Sequence, residues 1–182
     1  MSEYSDKELI DLFNKEEHRN YAFNIIVRKY QERLYYNIRR IVIDHQDADD
    51  VLQNTFIKAF KGLEKFREES KLYTWLFRIS TNESLSFLKQ KKTRLFIPIG
   101  NINEKYKEKL ESDPYFSGDE IQLKLQKAIL TLPDKQRIVF NMRYFDEMKY
   151  DQISEILNIS VGALKASYHH AVKKIEKYLK ED

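Results

Sequence analysis

The sequence predicts an all-α protein made of two small helical domains, 5–94 and 119–182, joined by a flexible linker at 95–118. Apolar residues make up 42% of the 182 residues and charged residues 34%, with only four glycines and three prolines. This composition favours helices with one solvent-exposed face over a turn-rich β-sandwich. Apolar side chains also recur three and four residues apart in both domains. The linker between them holds two of the prolines and two of the glycines.

Four helices are predicted in the first domain. Asp6 is a candidate N-cap for a short first helix, and a longer stripe of apolar residues then covers 21–43. A third stripe covers 48–63 and a fourth covers 73–92, with a loop predicted at 66–71 between them. The third stripe leaves a polar opposite face, which is expected to face solvent.

The second domain carries a helix-turn-helix pattern. Pro133 is expected to stop the first helix of this domain, and Asp134 to cap the next one. A short helix at 150–157 and a tight turn at 158–160 follow, and Ser160 is a candidate N-cap for a long helix. A short helix, a turn of about three or four residues and a longer basic helix are typical of the helix-turn-helix.

Charge is unevenly distributed along the chain, although the formal net charge is only +3. An acidic cluster in the first domain comprises Asp44, Asp47, Asp49 and Asp50. Two basic clusters lie in separate domains, and they comprise Lys89, Lys91, Lys92 and Arg94, and Lys165, Lys173, Lys174, Lys177 and Lys180. One such cluster alone more often marks a solvated helix face, but two in separate domains indicate an electrostatic footprint for phosphate.

The last predicted helix offers a candidate surface for duplex DNA, because the second helix of a helix-turn-helix enters the major groove. Lys165 is the strongest single candidate for a base or phosphate contact, and neighbouring histidines can donate or accept in the groove. Gly162 would let backbone N–H groups approach a phosphate. The full predicted surface comprises Gly162, Ala163, Lys165, Ala166, His169, His170, Lys173 and Lys174.

A second nucleic-acid surface is predicted at 66–94, where aromatic side chains such as Phe66 and Trp75 alternate with cations. That mixture binds single-stranded nucleic acid, because cations follow the backbone and rings stack on unpaired bases. Aromatic residues at helical spacing also build cores, so composition alone leaves both interpretations open.

Several function classes find little support in the residues. Zero cysteine excludes disulfides, thiol nucleophiles and cysteine-based zinc sites. The sequence has no Gly-rich phosphate loop and neither a G-x-S-x-G nor an H-E-x-x-H motif. His45 and Asp47 are two residues apart and do not share a helix face, which argues against a metal site there. With these motifs absent from the sequence, no metal, cofactor or catalytic residue is expected. No apolar run approaches about 18 residues and no signal peptide is recognised, so we expect a soluble intracellular protein without membrane insertion.

Three sequence strings together resemble the extracytoplasmic-function (ECF) sigma factors of bacterial RNA polymerase. They are DADDVLQNTFIKAFKGLEKF, TWLFRISTN and LPDKQRIVFNMRYFDEMKYDQISEILNISVGALKASYHHAVKKI. The resemblance covers nearly the whole chain and implies a promoter-melting domain at about 21–94 and a helix-turn-helix domain at about 121–180. It implies a transcription initiation factor in the bacterial cytoplasm that binds core RNA polymerase and promoter DNA and is not an enzyme.

The resemblance also assigns roles to individual residues. The helix that starts DADDVLQ resembles the one that docks on the clamp helices of the polymerase β′ subunit, which implicates Asp49, Asp50 and Gln53. Asn82 matches the family's asparagine that holds a flipped-out base of the non-template −10 strand, since an amide can both donate and accept. The other implied −10 contacts are Phe66, Ser70, Lys71 and Leu72 as a pocket wall and Lys89, Lys91, Lys92 and Arg94 as phosphate contacts.

The last helix resembles the one that reads the −35 element, with departures. This chain has Ala163, Ala166 and Ser167 where family members often carry Thr, Ser and Arg, and it has His170 where Arg is common. Fewer arginines mean fewer bidentate guanine contacts, so the −35 sequence is expected to differ or to bind more weakly. The remaining implied partners are the polymerase β flap and an anti-sigma factor.

Two other functions compete with this interpretation. A stand-alone helix-turn-helix regulator would bind duplex DNA without polymerase, but it leaves the acidic face and the 66–94 surface unexplained. A helical metal-dependent hydrolase would use His45 and nearby carboxylates, and His45→Ala would abolish its activity.

Overall fold

The computed structural model describes residues 4–67, 70–95, 99–116 and 119–181, and every regular element within these ranges is helical, as predicted. In the same ranges, no helix combines the length and the apolar character that a bilayer crossing requires. The α-helices follow in the order α1 Asp6–Phe13, α2 Arg19–Val42, α3 His45–Leu63, α4 Leu72–Leu95, α5 Ile99–Ser112, α6 Glu120–Leu130, α7 Asp134–Tyr144, α8 Tyr150–Leu157 and α9 Val161–Glu181.

Helices α1 to α4 form the first domain around a shared apolar core. Ile26, Leu34 and Ile38 of α2 are completely buried, as are Leu76 and Phe77 of α4. The three residues of α2 are spaced by eight and by four, and the two residues of α4 are adjacent, which places them on the helix faces that meet in the centre of the bundle. The predicted amphipathic stripes therefore describe the inward faces of these helices.

The first helix is capped by Ser5, one residue before the predicted N-cap Asp6. The Ser5 hydroxyl accepts from the Glu8 N–H at 3.3 Å, and the Glu8 carboxylate accepts from the Ser5 N–H at 2.7 Å, which completes a capping box. Asp6 instead accepts from the Tyr30 hydroxyl at 2.5 Å and from the Lys29 ammonium at 3.0 Å. Asp6 therefore ties α1 to α2, and its prediction as a cap is wrong.

Asp44 separates α2 from α3. One of its oxygens accepts from the Asp47 N–H at 3.0 Å as an N-cap, and the other pairs with the ammonium of Lys109 on α5. Burial by itself would raise the pKa of the Asp44 carboxyl, but the bonds from Lys109 and from the Asp47 N–H outweigh burial and hold that pKa below its usual range. Asp44 thus fixes both the start of α3 and the position of α5.

We expect Asp44→Ala to lower the free energy of unfolding by about 1 kcal/mol, the usual cost of losing an N-cap. Because the pKa is lowered in the folded state, Asp44 stabilises the fold above the ordinary carboxyl pKa of about 3.9 and loses that effect as the pH falls through the folded value. Thermal unfolding followed by circular dichroism should show Tm reduced by about 2–4 °C at pH 7, with the two proteins converging in acid. Asp11→Ala, which removes an exposed carboxylate from α1, is the control. A variant with the parental Tm at pH 7 would contradict the cap assignment.

A helix, α5, occupies 99–112 within the segment whose prolines and glycines predicted a linker without helices. Tyr106 and Leu110 of α5 are buried and pack, with Phe116, against Ile43 at the end of α2. Their spacing of four places both on one helix face, and this tertiary contact overrides the local breakers. Pro98, Ser117 and Gly118 lie outside the described residues.

Helices α6 to α9 form the second domain and include the predicted helix-turn-helix. Helix α8 ends at Leu157, and its C-cap residue Asn158 adopts the left-handed conformation with φ 54°. Ser160 caps α9 by accepting from the Ala163 N–H at 3.3 Å. Pro133, rather than the predicted Asp134, is the N-cap residue of α7. The core of this domain comprises Ala128, Ile129, Leu132, Phe140, Ala171 and Ile175.

The two domains pack against each other. Helix α8 lies on α4, and α7 lies on α2. Ile153 and Ile156 of α8 and Leu164 of α9 are buried in the same apolar cluster as the core of the first domain. The guanidinium of Arg40 also pairs with the carboxylate of Asp146 across the boundary at 2.8 Å.

Candidate nucleic-acid interface

The outer face of α3 presents a small acidic surface to solvent. Asp49, Asp50 and Gln53 are all exposed. The other two acids of the cluster, Asp44 and Asp47, are partly buried and pair with lysines of α5 and α4. The structure therefore divides the acidic cluster into two carboxylates with internal partners and two that face outward.

Ile57 extends this outer face, although the sequence pattern gave it no role. Its side chain is 47% exposed, and it follows Gln53 by four residues and Asp50 by seven, which places all three on one side of α3. An apolar side chain surrounded by polar ones is typical of the centre of an interface. The heptad spacing from Asp50 is the signal that could have identified it.

His45, the candidate of the hydrolase hypothesis, lies at the start of α3 and is well exposed. Its Nδ1 lies 2.5 Å from the Tyr35 hydroxyl, and its Nε2 lies 3.5 Å from the Asp49 carboxylate. Among the described residues, no group of three or more histidine, aspartate or glutamate side chains is arranged to hold a metal ion.

The predicted −10 pocket wall comes together at the start of α4. Leu72, Ser70 and Lys71 line a cleft of about 520 Å³ with Phe66, and the opposite side is formed by residues of α1 and by Gln152 and Glu155 of α8. The four predicted residues thus share one cleft, but the helix-turn-helix domain forms part of it. Glu155 had no place in the sequence-based prediction, because a contact between separate domains leaves no periodic signal.

Asn82 lies on α4 outside this cleft. It is exposed, and its ten-residue separation from Leu72 corresponds to about 15 Å along the helix axis. Trp75 and Arg78 lie seven and four residues before Asn82, on the same side of the helix, and they line an adjoining cleft with Phe66. A strand that reaches from the pocket wall to Asn82 would therefore cross Trp75 and Arg78.

The aromatic residues of the 66–94 surface divide into core and surface positions. Phe77 is completely buried, so its role is structural. Phe66 and Trp75 are half-buried, with ring centroids 5.1 Å apart, and they form one continuous aromatic surface. Gly62 allows this arrangement, since a Cβ at Gly62 would lie 3.1 Å from the Trp75 ring. Only part of the aromatic series is available for stacking.

The basic cluster at the end of α4 is also divided. Lys89 is exposed, whereas Lys91 pairs with Asp47. The side chains of Lys92 and Arg94 lie outside the described residues. Of the four predicted phosphate contacts, Lys89 is the one that the structure describes without an internal ion pair.

The predicted −35 surface forms one exposed side of α9. Leu164, Ala171 and Ile175 are buried against the other helices, which turns the basic side outward. Lys165 also lies over the Tyr150 ring at 5.9 Å. The first turn is open, because a Cβ added to Gly162 would meet no heavy atom of the described residues within 4 Å. The exposed set comprises Gly162, Ala163, Lys165, Ala166, His169, His170, Lys173 and Lys174.

Comparison with known proteins decides the family. The family described as Sigma-70 region 2 matches residues 26–94, and that described as Sigma-70, region 4 matches residues 122–175. The RNA polymerase sigma-H factor of Pseudomonas aeruginosa is 30% identical to this chain, over 98% of the chain and 96% of its own length. The ECF RNA polymerase sigma factor SigW of Bacillus subtilis is 31% identical, over 88% of the chain and 90% of its own length. This chain belongs to the ECF sigma factors of the sigma-70 family.

Solved structures share the fold of this ECF sigma factor. CnrH, in complex with the cytosolic domain of CnrY, superposes with a TM-score of 0.70 at 22% identity, over 97% of this chain and 98% of its own. The sigma factor RpoE of Bartonella quintana, in complex with the anti-sigma factor NepR, gives a TM-score of 0.66 at 19% identity, over 88% of this chain and 98% of its own.

Proposed function

We propose that this ECF sigma factor binds core RNA polymerase and directs it to start transcription at specific promoters. The single observation that carries the proposal is the presence of both sigma-70 regions, in order, on a chain whose α3 and α9 surfaces face solvent. The protein acts by binding rather than by catalysis, in the bacterial cytoplasm, where the polymerase and promoter DNA are found.

Polymerase binding is assigned to the outer face of α3. Asp49 and Asp50 give it negative charge, Gln53 adds hydrogen-bonding capacity, and Ile57 provides an apolar centre. Such a face suits a basic helical partner, for which the clamp helices of β′ are the proposed partner. The β flap is proposed as a second polymerase contact, through the helix-turn-helix domain.

Promoter recognition is assigned to two different surfaces. The exposed side of α9 would enter the major groove of the −35 element with Lys165 near its centre. The surface from Phe66 through Trp75 to Asn82 would capture the non-template −10 strand after the duplex opens. Unstacking costs about a few kcal/mol for each base step, and strand capture with polymerase contacts offsets that cost.

Regulation by an anti-sigma factor is part of the proposal. The solved RpoE structure contains the anti-sigma factor NepR, and that RpoE shares the fold of this chain. An anti-sigma factor would inhibit this protein by covering the α3 face or the DNA surfaces.

Co-purification with core polymerase tests the proposal directly. We expect tagged full-length protein to retain core polymerase on a column and to elute with it in size-exclusion chromatography. A stand-alone regulator would retain promoter DNA without polymerase, and a hydrolase would lose metal-dependent turnover on His45→Ala. Either of those results without polymerase retention would overturn the proposal.

We expect Lys165→Ala to weaken −35-dependent promoter binding by the holoenzyme and to leave polymerase binding unchanged. If Lys165 contacts a phosphate, the slope of log K against log salt should fall by about 1; if it contacts a base, sequence preference at one position should relax. Lys15→Ala, between α1 and α2 and outside both basic clusters, removes the same exposed charge as a control. Gel-shift titrations at several salt concentrations distinguish these outcomes, and an unchanged affinity, slope and sequence preference would refute the assignment.

A further inference from the structure

A buried polar contact joins α2 to α4 inside the core of the first domain. The side chain of Asn37 on α2 is 1% exposed, and Ser80 and Thr81 on α4 are completely buried. The Asn37 amide nitrogen donates to the Ser80 hydroxyl at 3.2 Å and to the Thr81 hydroxyl at 3.5 Å. One amide of α2 therefore bonds two adjacent residues of α4, and we call these three residues the amide contact.

The buried serines of α4 already have hydrogen-bond partners within their own helix. The Ser80 hydroxyl donates to the Phe77 carbonyl at 2.9 Å, and the Ser84 hydroxyl donates to the Ser80 carbonyl at 2.8 Å. Asn37 is therefore an additional partner for α4. Apolar replacement of all the polar groups in such a contact is often neutral or stabilising. Specificity of position, rather than stability, is the property that a buried amide of this kind can add.

The location of the amide contact on α4 determines where the neighbouring side chains point. Asn82 directly follows Thr81 and is exposed, whereas Thr81 is buried. Adjacent helical residues differ by about 100° around the axis, so the side of α4 that bonds Asn37 fixes the direction of Asn82. Trp75 and Arg78, which lie on the same side of α4 as Asn82, turn together with it.

The contact between α4 and α3 leaves little room for another rotation of α4. The half-buried Trp75 lies so close to α3 that a Cβ at Gly62 would be 3.1 Å from the Trp75 ring. Gly62 lies inside α3 and has no left-handed backbone angle, and alanine favours a helix at such a position by about 0.5–1 kcal/mol. The close approach of Trp75 is therefore the physical reason that glycine suits this position.

We propose that Asn37 is a positioning residue for promoter opening, which holds α4 in the rotation that presents Asn82 and Trp75 to the −10 strand. The proposal rests on the function assigned to that surface. A binding site works when its side chains are held within about 0.5 Å and 10–20° of the productive geometry, and a displacement of about 1 Å can cost a hundredfold in rate. Asn37 itself is buried between helices and acts through α4.

Removal of every polar side chain from the amide contact separates its effect on position from its effect on stability. The triple change Asn37→Val, Ser80→Ala and Thr81→Val leaves none of the three polar groups without its partner, so Tm should stay within about 4 °C of the parent value. The apolar side chains no longer select one rotation of α4. We therefore expect holoenzyme with this variant to form about tenfold less open complex in permanganate footprinting, with unchanged affinity for core polymerase.

Two further variants supply the contrast. Ser80→Ala with Thr81→Val leaves the Asn37 amide buried without these two partners, so Tm should fall further than in the triple variant. Thr55→Val removes a buried hydroxyl of α3 that donates to the Val51 carbonyl of the same helix at 2.7 Å, and it should leave promoter opening unchanged. Recovery of Tm in the triple variant without recovery of opening is the pattern that a positioning residue predicts.

The rotation of α4 can also be observed in the free, full-length chain. Trp75 is the single tryptophan, so fluorotryptophan incorporation gives one fluorine NMR signal beside Gly62 and Phe66. We expect that signal to be unchanged in Thr55→Val and to shift or split in the triple variant. Ser80→Ala alone removes one oxygen and the 3.2 Å bond, and it should shift the signal and lower open-complex formation by about threefold.

Three results would overturn the positioning role of Asn37. They are parental opening with a parental fluorine signal in the triple variant or in Ser80→Ala, a loss of opening that follows Tm across all the variants, and a Tm of the triple variant as low as that of the double variant. Failure of the parent protein to bind core polymerase would instead reject the proposed function. The fluorine spectra of the free chain would still test whether Asn37 fixes the rotation of α4.

Discussion

Reversing both exposed carboxylates of α3, by Asp49→Arg with Asp50→Arg, is expected to abolish retention of core polymerase. The two side chains face solvent and have no role in the core, so the fold should be unaffected. Like charges forced together across an interface cost several kcal/mol. The dissociation constant should therefore rise at least about tenfold, which corresponds to about 1.4 kcal/mol.

A matched control separates the effect of the position of the two carboxylates on α3 from the effect of the change in net charge. Glu16→Arg with Glu17→Arg makes the same change of charge on the exposed turn before α2. Size-exclusion chromatography and fluorescence anisotropy with labelled protein should show loss of binding for the α3 variant only. Equal retention of both variants would remove the docking assignment, and equal loss would reduce it to a general effect of net charge.

Truncation of one amide, by Asn82→Ala, is expected to impair promoter opening far more than polymerase binding. Asn82 is exposed on α4, so its removal leaves no cavity. Loss of a hydrogen-bonded base contact costs about 1–3 kcal/mol, so formation of the open complex should fall roughly tenfold or more.

The control for this variant is Gln90→Ala, which removes an exposed amide two turns further along the same helix. Permanganate footprinting measures unpaired thymines, and a gel shift measures polymerase and duplex binding on the same samples. The expected pattern is a weakened footprint with normal duplex binding for Asn82→Ala and a normal footprint for Gln90→Ala. A parallel loss of footprint and duplex binding would argue against base capture.

Local patterns are sufficient to predict the helix-turn-helix and the α-helices other than α5. The spacing of Ile26, Leu34 and Ile38 identifies the buried side of α2, because a helix repeats every 3.6 residues. Ser160 was identified as the cap of α9 from its residue type and from the basic amphipathic run after it. Asp6 shows the limit of such reasoning, since Ser5 also satisfies the N-cap preference and has Glu8 three residues later.

Features that depend on long-range pairing were not predictable from the sequence. Helix α5 exists because Tyr106 and Leu110 find Ile43, which lies more than sixty positions earlier in the chain. Lys91 belongs to a basic cluster in the sequence but is partnered by Asp47 in the fold. The contact of α8 with the proposed −10 surface likewise has no signal in periodicity, because it joins residues of separate domains.

We expect this chain to give core polymerase the ability to start transcription at chosen sites. The most direct measurement is transcription by core polymerase on genomic DNA fragments from the source organism, with and without the purified chain, with the 5′ ends mapped. We predict discrete start sites that appear only with the chain and share upstream sequence elements. Identical start sites in both reactions would contradict it.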